Sequence, residues 1–378
     1  MPLPNEEQII LREMAHNWAQ RDTPVRAFRD MRDGDHPNGF SDATFKSVAN
    51  MGWTGALISE DYGGSDVGYM GFGAVVEELG RMLVAAPLLG SAVGTVAALT
   101  LVGSDTQKST WLPGIAAGDV IGALAIDESN RYAPAKIGMR AEAKDGGYVL
   151  SGDKRLVHEG GAANVLIVAA RTSGVDAADD GVTLFVVPAD SAGISRERRQ
   201  LIDSRGYADI RFDQVVVDAA DVLGTVGEGR TVLTQVTDRV SAMIAVEAFG
   251  LAVQAFETTL EYLKTRVQFG QVIGTFQALQ HRCAKMFTDI QLARPCVENA
   301  LHALDQNDAN ASAAVSLAKA TVNDLVHLIS REMIQLHGGI GMTDAHDAGF
   351  YIKRARVLEG AFGTTGYHRE RYARLSGV

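Results

Sequence analysis

The periodicity of the chain changes twice, and that double change limits the folds open to it. From Glu6 to about Ala117 apolar residues recur at helical spacing. In NEEQIILREMAHNWAQ, Ile9, Ile10, Met14 and Trp18 form one stripe behind a capping Asn5. DATFKSVANMG reads as a second helix, opened by Asp42 and closed by Gly52, and GFGAVVEELGRML as another, with Phe72, Val75, Val76, Leu79 and Met82 on one face. Near Gly118 the texture switches to short Val- and Ile-rich runs: DVIGALAID, GGYVLSGDKRLV, NVLIVAAR, VTLFVVPA and YADIRFDQVVVD. Turn residues such as Asp145-Gly146-Gly147 separate them, so a mostly antiparallel sheet or small barrel is expected, ending near Gly224. From Glu228 helical spacing returns, through Leu251, Val253, Phe256, Leu260 and Leu263 and again in LVHLISREMIQLHGGIG. The expected class is α+β: a helical domain over 1–118, a β-sheet or barrel domain over 119–225, and a C-terminal four-helix bundle over 226–378.

With 378 residues, 46% of them hydrophobic, the chain can bury a large core in more than one domain. Its net charge is −11, and no run of Lys or Arg marks a nucleic-acid or membrane surface. A few local arginines and backbone N–H groups can still bind phosphate in an acidic protein. Cys283 and Cys296 fall in one expected helix, about 20 Å apart along its axis. That is too far for a disulfide, and no metal-ligand spacing is present. MPLPNEEQII carries acids where a signal peptide carries bases, and no unbroken apolar run is 18 residues long. No membrane span is expected, and the reducing cytoplasm is the expected compartment.

The stretch RVQFGQVIGTFQALQ interrupts the helical third. An arginine, an aromatic and a glycine meet where a helix breaks, leaving backbone N–H groups free for an acceptor. By itself the stretch also fits a helix hairpin with polar surface residues. A second stretch, IQLHGGIGMT, ends a helix in paired glycines; these act as C-caps or allow a ligand close to the backbone.

These two stretches, with the loop ISEDYGGSD and the strand segment SGDKRLVHEGGAANVLIVAAR, resemble the acyl-CoA dehydrogenase flavoprotein family over essentially the whole chain. The resemblance implies FAD as cofactor. It implies that Arg266 and Phe269 contact the pyrophosphate and adenosine of FAD bound by a neighbouring subunit, with Gln277 at the ribose end. Gln335, Gly338 and Gly339 correspond to the matching contacts from the partner chain, and Thr364 and His158 to residues beside the flavin. A site shared by two chains implies a homo-oligomer, commonly a dimer of dimers, or a heterotetramer with a second acyl-CoA dehydrogenase subunit. An electron-transfer flavoprotein is the acceptor that the resemblance implies. The implied reaction oxidises an acyl-CoA thioester to its 2,3-enoyl product: a carboxylate removes the proton next to the carbonyl, and hydride leaves the neighbouring carbon.

The sequence departs from that pattern where the chemistry sits. The family's Glu-Gly-Thr triplet falls on Phe362-Gly363-Thr364, and the alternative Glu-Arg pair on Val240-Ser241. Both base positions therefore lack an acid, and Asp238-Arg239 is displaced by two residues. The family's Thr-Glu-Pro reads Asp127-Glu128-Ser129, and its ring-flanking Trp and Thr read Leu156 and His158. His158 can donate to the flavin or face water on a strand edge. Glu247, in the apolar segment SAMIAVEAFGLAV, is the substitute base by position, and an ion pair with another helix is its alternative role. Glu359 is a further candidate. Three functions follow: an active dehydrogenase using Glu247, a catalytically incomplete partner subunit that mainly completes the FAD site, or a flavin oxidase or monooxygenase on the same fold.

Overall fold

The computed structural model describes residues 4–176 and 180–378; the first three residues of the N-terminal reading lie outside them. The helical, β, helical order is present. The first part comprises α1 (Glu6–Asp22), α2 (Val25–Asp33), α3 (Asp42–Asn50), α4 (Gly68–Arg81), a π-helical stretch at Leu88–Thr95, α5 (Val96–Val102) and α6 (Asp105–Ala117). Asn5 caps α1 in a full capping box with Gln8, as its sequence position indicated.

Eight strands follow: β1 (Gly122–Ala125), β2 (Arg140–Lys144), β3 (Gly147–His158), β4 (Val165–Arg171), β5 (Val182–Pro188), β6 (Ile194–Gln200), β7 (Gly206–Asp218) and β8 (Val222–Leu223). They form one sheet in the order β6-β7-β3-β2-β4-β5-β8, with β1 added parallel to β4. Most pairings are antiparallel, as the short runs separated by turn residues suggested. β4 is buried along its whole length, whereas β7 alternates, so its Ala208, Ile210, Phe212, Val215 and Val217 join the core and the residues between them do not.

The last part contains α7 (Gly229–Thr265), a hairpin of β9 (Val267–Gln268) and β10 (Gln271–Val272), α8 (Gln277–Asp305), α9 (Ala311–His337), α10 (Ala348–Gly360) and α11 (Thr365–Leu375). Among the described residues α7 is the one helix long and apolar enough to cross a membrane, but 89% of its apolar window is buried. It behaves as a core helix.

Contacts group the chain into two compact units. One holds Met31–Gly68 and Ala85–Val240, including the sheet. The other holds Met1–Asp30, Tyr69–Val84 and Ser241–Val378. In the second unit α4 and α7 cross almost backbone to backbone. A Cβ on Gly80 would meet the Glu247 carbonyl oxygen at 2.4 Å, and one on Gly250 would meet the Glu77 carbonyl oxygen at 2.0 Å. Only glycine allows that approach, and the crossing fixes the part of α7 that carries Glu247.

Candidate flavin site

The break after α7 is a two-residue β-hairpin, not a helix hairpin. Gln268 pairs with Gln271 and Val267 with Val272, leaving Phe269 and Gly270 as the turn. Their φ angles are +55° and +77°, the signature of the turn that matches strand twist. Asn-Gly usually fills such a turn; here a phenylalanine adopts the left-handed conformation, at a cost of about 1–2 kcal/mol. Its ring is 89% exposed and meets Phe276 edge-on, at 6.1 Å between centroids. Leaving such a ring in water forgoes roughly 1.5–3 kcal/mol of burial. The chain thus bears two costs to present one aromatic ring at the hairpin tip. Arg266 precedes the hairpin and Gln277 opens α8, and both are exposed.

The glycine pair closes α9. Gln335 is exposed, and Gly338 has φ +65° with ψ −140°, a region close to one that only glycine occupies. A Cβ on Gly338 or Gly339 would meet nothing within 4 Å, so their backbone is open to approach. His337, just before them, is buried with Nδ1 against the Met333 carbonyl oxygen at 2.7 Å. Its ring lies 4.4 Å from both Tyr262 and His346, and its Nε2 has no hydrogen-bond partner. Burial, followed by the neighbouring His346, lowers its pKa, so the ring is neutral at neutral pH. Tyr262 lies one turn before Arg266. The structure therefore brings the hairpin base and the glycine pair to the same end of the bundle, which the sequence did not reveal.

The two base positions hold apolar groups. Val240 is fully buried. Phe362 is 9% exposed and has φ +53°. Thr364 is exposed and caps α11, its hydroxyl accepting from the Tyr367 N–H at 3.4 Å.

Glu247 shows the ion pair that the sequence reading gave as its alternative role. Arg354 on α10 donates through Nε and Nη2 to its two carboxylate oxygens, each at 2.8 Å, and the two side chains are 11% and 7% exposed. The guanidinium fork engages one lone pair on each oxygen, and the pair ties α10 to α7. Glu359 is engaged through one oxygen, its Oε2 accepting from Arg356 at 2.9 Å, while its Oε1 is buried with no hydrogen-bond partner.

In the sheet unit, His158 ends β3, half-buried, with its ring 4.5 Å from Tyr207 in an edge contact. Leu156 stands in the left-handed region at φ +49°, inside a register shift between Lys154 and Val157. Beside it opens a polar cleft of about 630 Å³, whose lining includes Glu128, Ser129, Asn130, Arg155, Arg199 and Asp209. Lys154 is fully buried and donates to Glu128 at 2.7 Å and to the Ile126 carbonyl oxygen at 3.0 Å. Burial raises the Asp127 carboxyl to about 6. Leu156, Phe269 and Phe362 are all left-handed non-glycine residues at positions that the family resemblance puts beside cofactor or substrate. Backbone strain of this kind concentrates at functional sites.

Comparison with known proteins identifies this fold. Family models for the acyl-CoA dehydrogenase N-terminal, middle and C-terminal domains match residues 5–119, 125–219 and 227–376. The mitochondrial isovaleryl-CoA dehydrogenase of Pongo abelii is 31% identical over 97% of this chain and 87% of its own length. The probable acyl-CoA dehydrogenase YngJ of Bacillus subtilis (strain 168) is 29% identical, covering 96% of each chain. A solved structure described as the Tcur3481-Tcur3483 steroid ACAD G363A variant is 26% identical over 98% of each chain, with a TM-score of 0.88. The chain belongs to the acyl-CoA dehydrogenase family, a family of oxidoreductases.

Proposed function

We propose that this chain is the flavin-binding, base-deficient subunit of a heteromeric acyl-CoA dehydrogenase, with the proton-abstracting carboxylate on a second subunit. The carrying observation is the state of the candidate bases. Phe362 and Val240, at the family's two base positions, cannot accept a proton, and the other candidates are ion-paired, Glu247 with Arg354 and Glu359 with Arg356. The steroid ACAD relative bears a paired name, Tcur3481-Tcur3483, which supports a two-subunit assembly. In this reading the domains are the segments 1–118, 119–225 and 226–378.

The residues fit FAD, the family's cofactor. Arg266 offers a guanidinium and Phe269 an uncovered ring, Gln277 and Gln335 offer exposed amides, and Gly338 and Gly339 offer open backbone beside an orphaned imidazole nitrogen. Thr364 and, in the sheet unit, His158 are the residues that the family resemblance assigns to the flavin ring. Bound FAD supplies the hydride acceptor of the reaction. The chain's own groups hold and orient that cofactor, while Phe362 and Val240 keep the base positions apolar. The substrate is an acyl-CoA, and an electron-transfer flavoprotein takes the electrons. A cytoplasmic setting agrees with the free thiols of Cys283 and Cys296.

The cofactor half is tested by flavin retention in the chain co-purified with its second acyl-CoA dehydrogenase subunit. Arg266→Gln and Phe269→Ala each weaken FAD binding about tenfold or more, since each removes a charge-assisted or apolar contact of about 1.5–3 kcal/mol. Both side chains are exposed, so circular dichroism and the thermal midpoint of the flavin-free protein stay unchanged. Full flavin retention by both variants contradicts the assignment.

A further inference from the structure

The turn that closes α10 is held by a cage of side chains from two other helices. A helix leaves its last carbonyls without intrahelical donors, and buried carbonyls need partners. In this turn the donors are side chains of α9, 39 residues before Leu358 in the case of Lys319, and of α11, six residues after Phe362. Lys319 on α9, fully buried, donates from Nζ to the Leu358 carbonyl at 3.0 Å, the Gly363 carbonyl at 3.2 Å and Asn323 Oδ1 at 2.9 Å. Three acceptors surround a group that has three donors when charged. The Asn323 amide donates to the Glu359 carbonyl at 3.2 Å and the Gly363 carbonyl at 3.4 Å. His368 on α11 donates from Nε2 to the Phe362 carbonyl at 3.0 Å. Four carbonyls of the turn, those of residues 358, 359, 362 and 363, are thus satisfied from α9 and α11.

The turn needs that support. Phe362 and Gly363 have φ +53° and +116°, and a Cβ on Gly363 would lie 2.7 Å from His368 Nε2. The charged groups around the cage are Glu359 of α10, whose field favours the Lys319 ammonium, and Arg371 of α11, which disfavours charge on His368. Burial holds Lys319 at about 7 and His368 at about 3, so His368 stays a neutral Nε2–H donor.

We propose that Lys319, seconded by Asn323 and His368, is the positioning residue of the Phe362-Gly363-Thr364 turn and through it sets the grip of Thr364 on the flavin. The second half of that statement rests on the FAD reading above.

Hydrogen exchange and FAD affinity, measured on the assembled protein, test it. Lys319→Met fills the same space without donors, and Lys319→Gln keeps an amide donor. Exchange across residues 358–364 rises about tenfold in Lys319→Met and less in Lys319→Gln, while exchange in α7 stays unchanged. FAD affinity falls in the same order. A role in filling space alone predicts equal behaviour of the two variants, and equality overturns the proposal. So does an unchanged turn, a turn that loosens without loss of FAD affinity, or equal loosening of α7. Should Lys319→Met fail to fold, Asn323→Ala serves: it keeps the lysine and loosens the same turn, and a fully protected turn in that variant overturns the proposal. If the unaltered assembly holds no FAD, the function reading fails instead, while the exchange comparison still decides the role of Lys319.

Discussion

Glu247→Gln lowers the unfolding free energy by about 3–5 kcal/mol and leaves the flavin chemistry of the assembled protein unchanged. The size follows from what remains behind. Arg354 is 7% exposed at its side chain, and its Nε and Nη2 both point at Glu247. Removing the negative charge deprives a buried guanidinium of the carboxylate that accepts from its Nε and Nη2. Replacing both partners, as Glu247→Leu with Arg354→Met, removes the buried charge as well and recovers most of the loss. Denaturant unfolding followed by circular dichroism measures the stability, and flavin reduction by acyl-CoA measures the chemistry. A base at this position predicts the reverse: a stable variant whose flavin no longer bleaches.

Phe362→Glu has the second large effect, in the opposite direction. The backbone of that turn keeps the glycine and threonine of the family's triplet, and side chains from α9 and α11 hold its carbonyls. Phe362 already occupies the left-handed conformation, so the exchange alters the side chain and not the turn. A carboxylate there restores the group that the sequence lacks. General-base catalysis contributes about 10²–10⁴-fold, and flavin bleaching by an acyl-CoA in the variant rises over the parent chain by that order. Anaerobic mixing with a panel of acyl-CoA thioesters reads the rate. Equal rates in parent and variant show that this turn does not face the substrate.

Much of the architecture was legible because its signals are local. The change from a period near 3.6 to a period near 2 and back marks the β segment by itself, and Asn5 with Gln8 announces the start of α1. The hairpin after Arg266 was not legible as a hairpin. Its tip is Phe-Gly and not Asn-Gly, and two-residue strands are too short to show alternation. The π-helical stretch at Leu88–Thr95 likewise carries no pattern distinct from an apolar α-helix.

The site divides the same way. Arg266, Phe269, Gln277, Gln335 and the glycine pair stand out because glycines and an aromatic interrupt a helical pattern. The fate of Glu247 depends on Arg354, 107 residues away, and that of the 358–364 turn on Lys319, about 40 residues away. An acid in an apolar helix reads the same whether it faces a substrate or a guanidinium; only the packing of α10 on α7 separates the two. The stack of Tyr262, His337 and His346 was hidden for the same reason, because it joins the ends of two helices that are distant in sequence.

A chain that helps to bind flavin but brings no base leaves its cofactor oxidised until a second subunit supplies the carboxylate. Anaerobic titration of the purified, FAD-loaded chain with acyl-CoA thioesters, first alone and then with its partner subunit, reads this division of labour from the flavin spectrum. The flavin stays oxidised with the chain alone and bleaches once the partner is added. Bleaching of the isolated chain at a catalytic rate contradicts it.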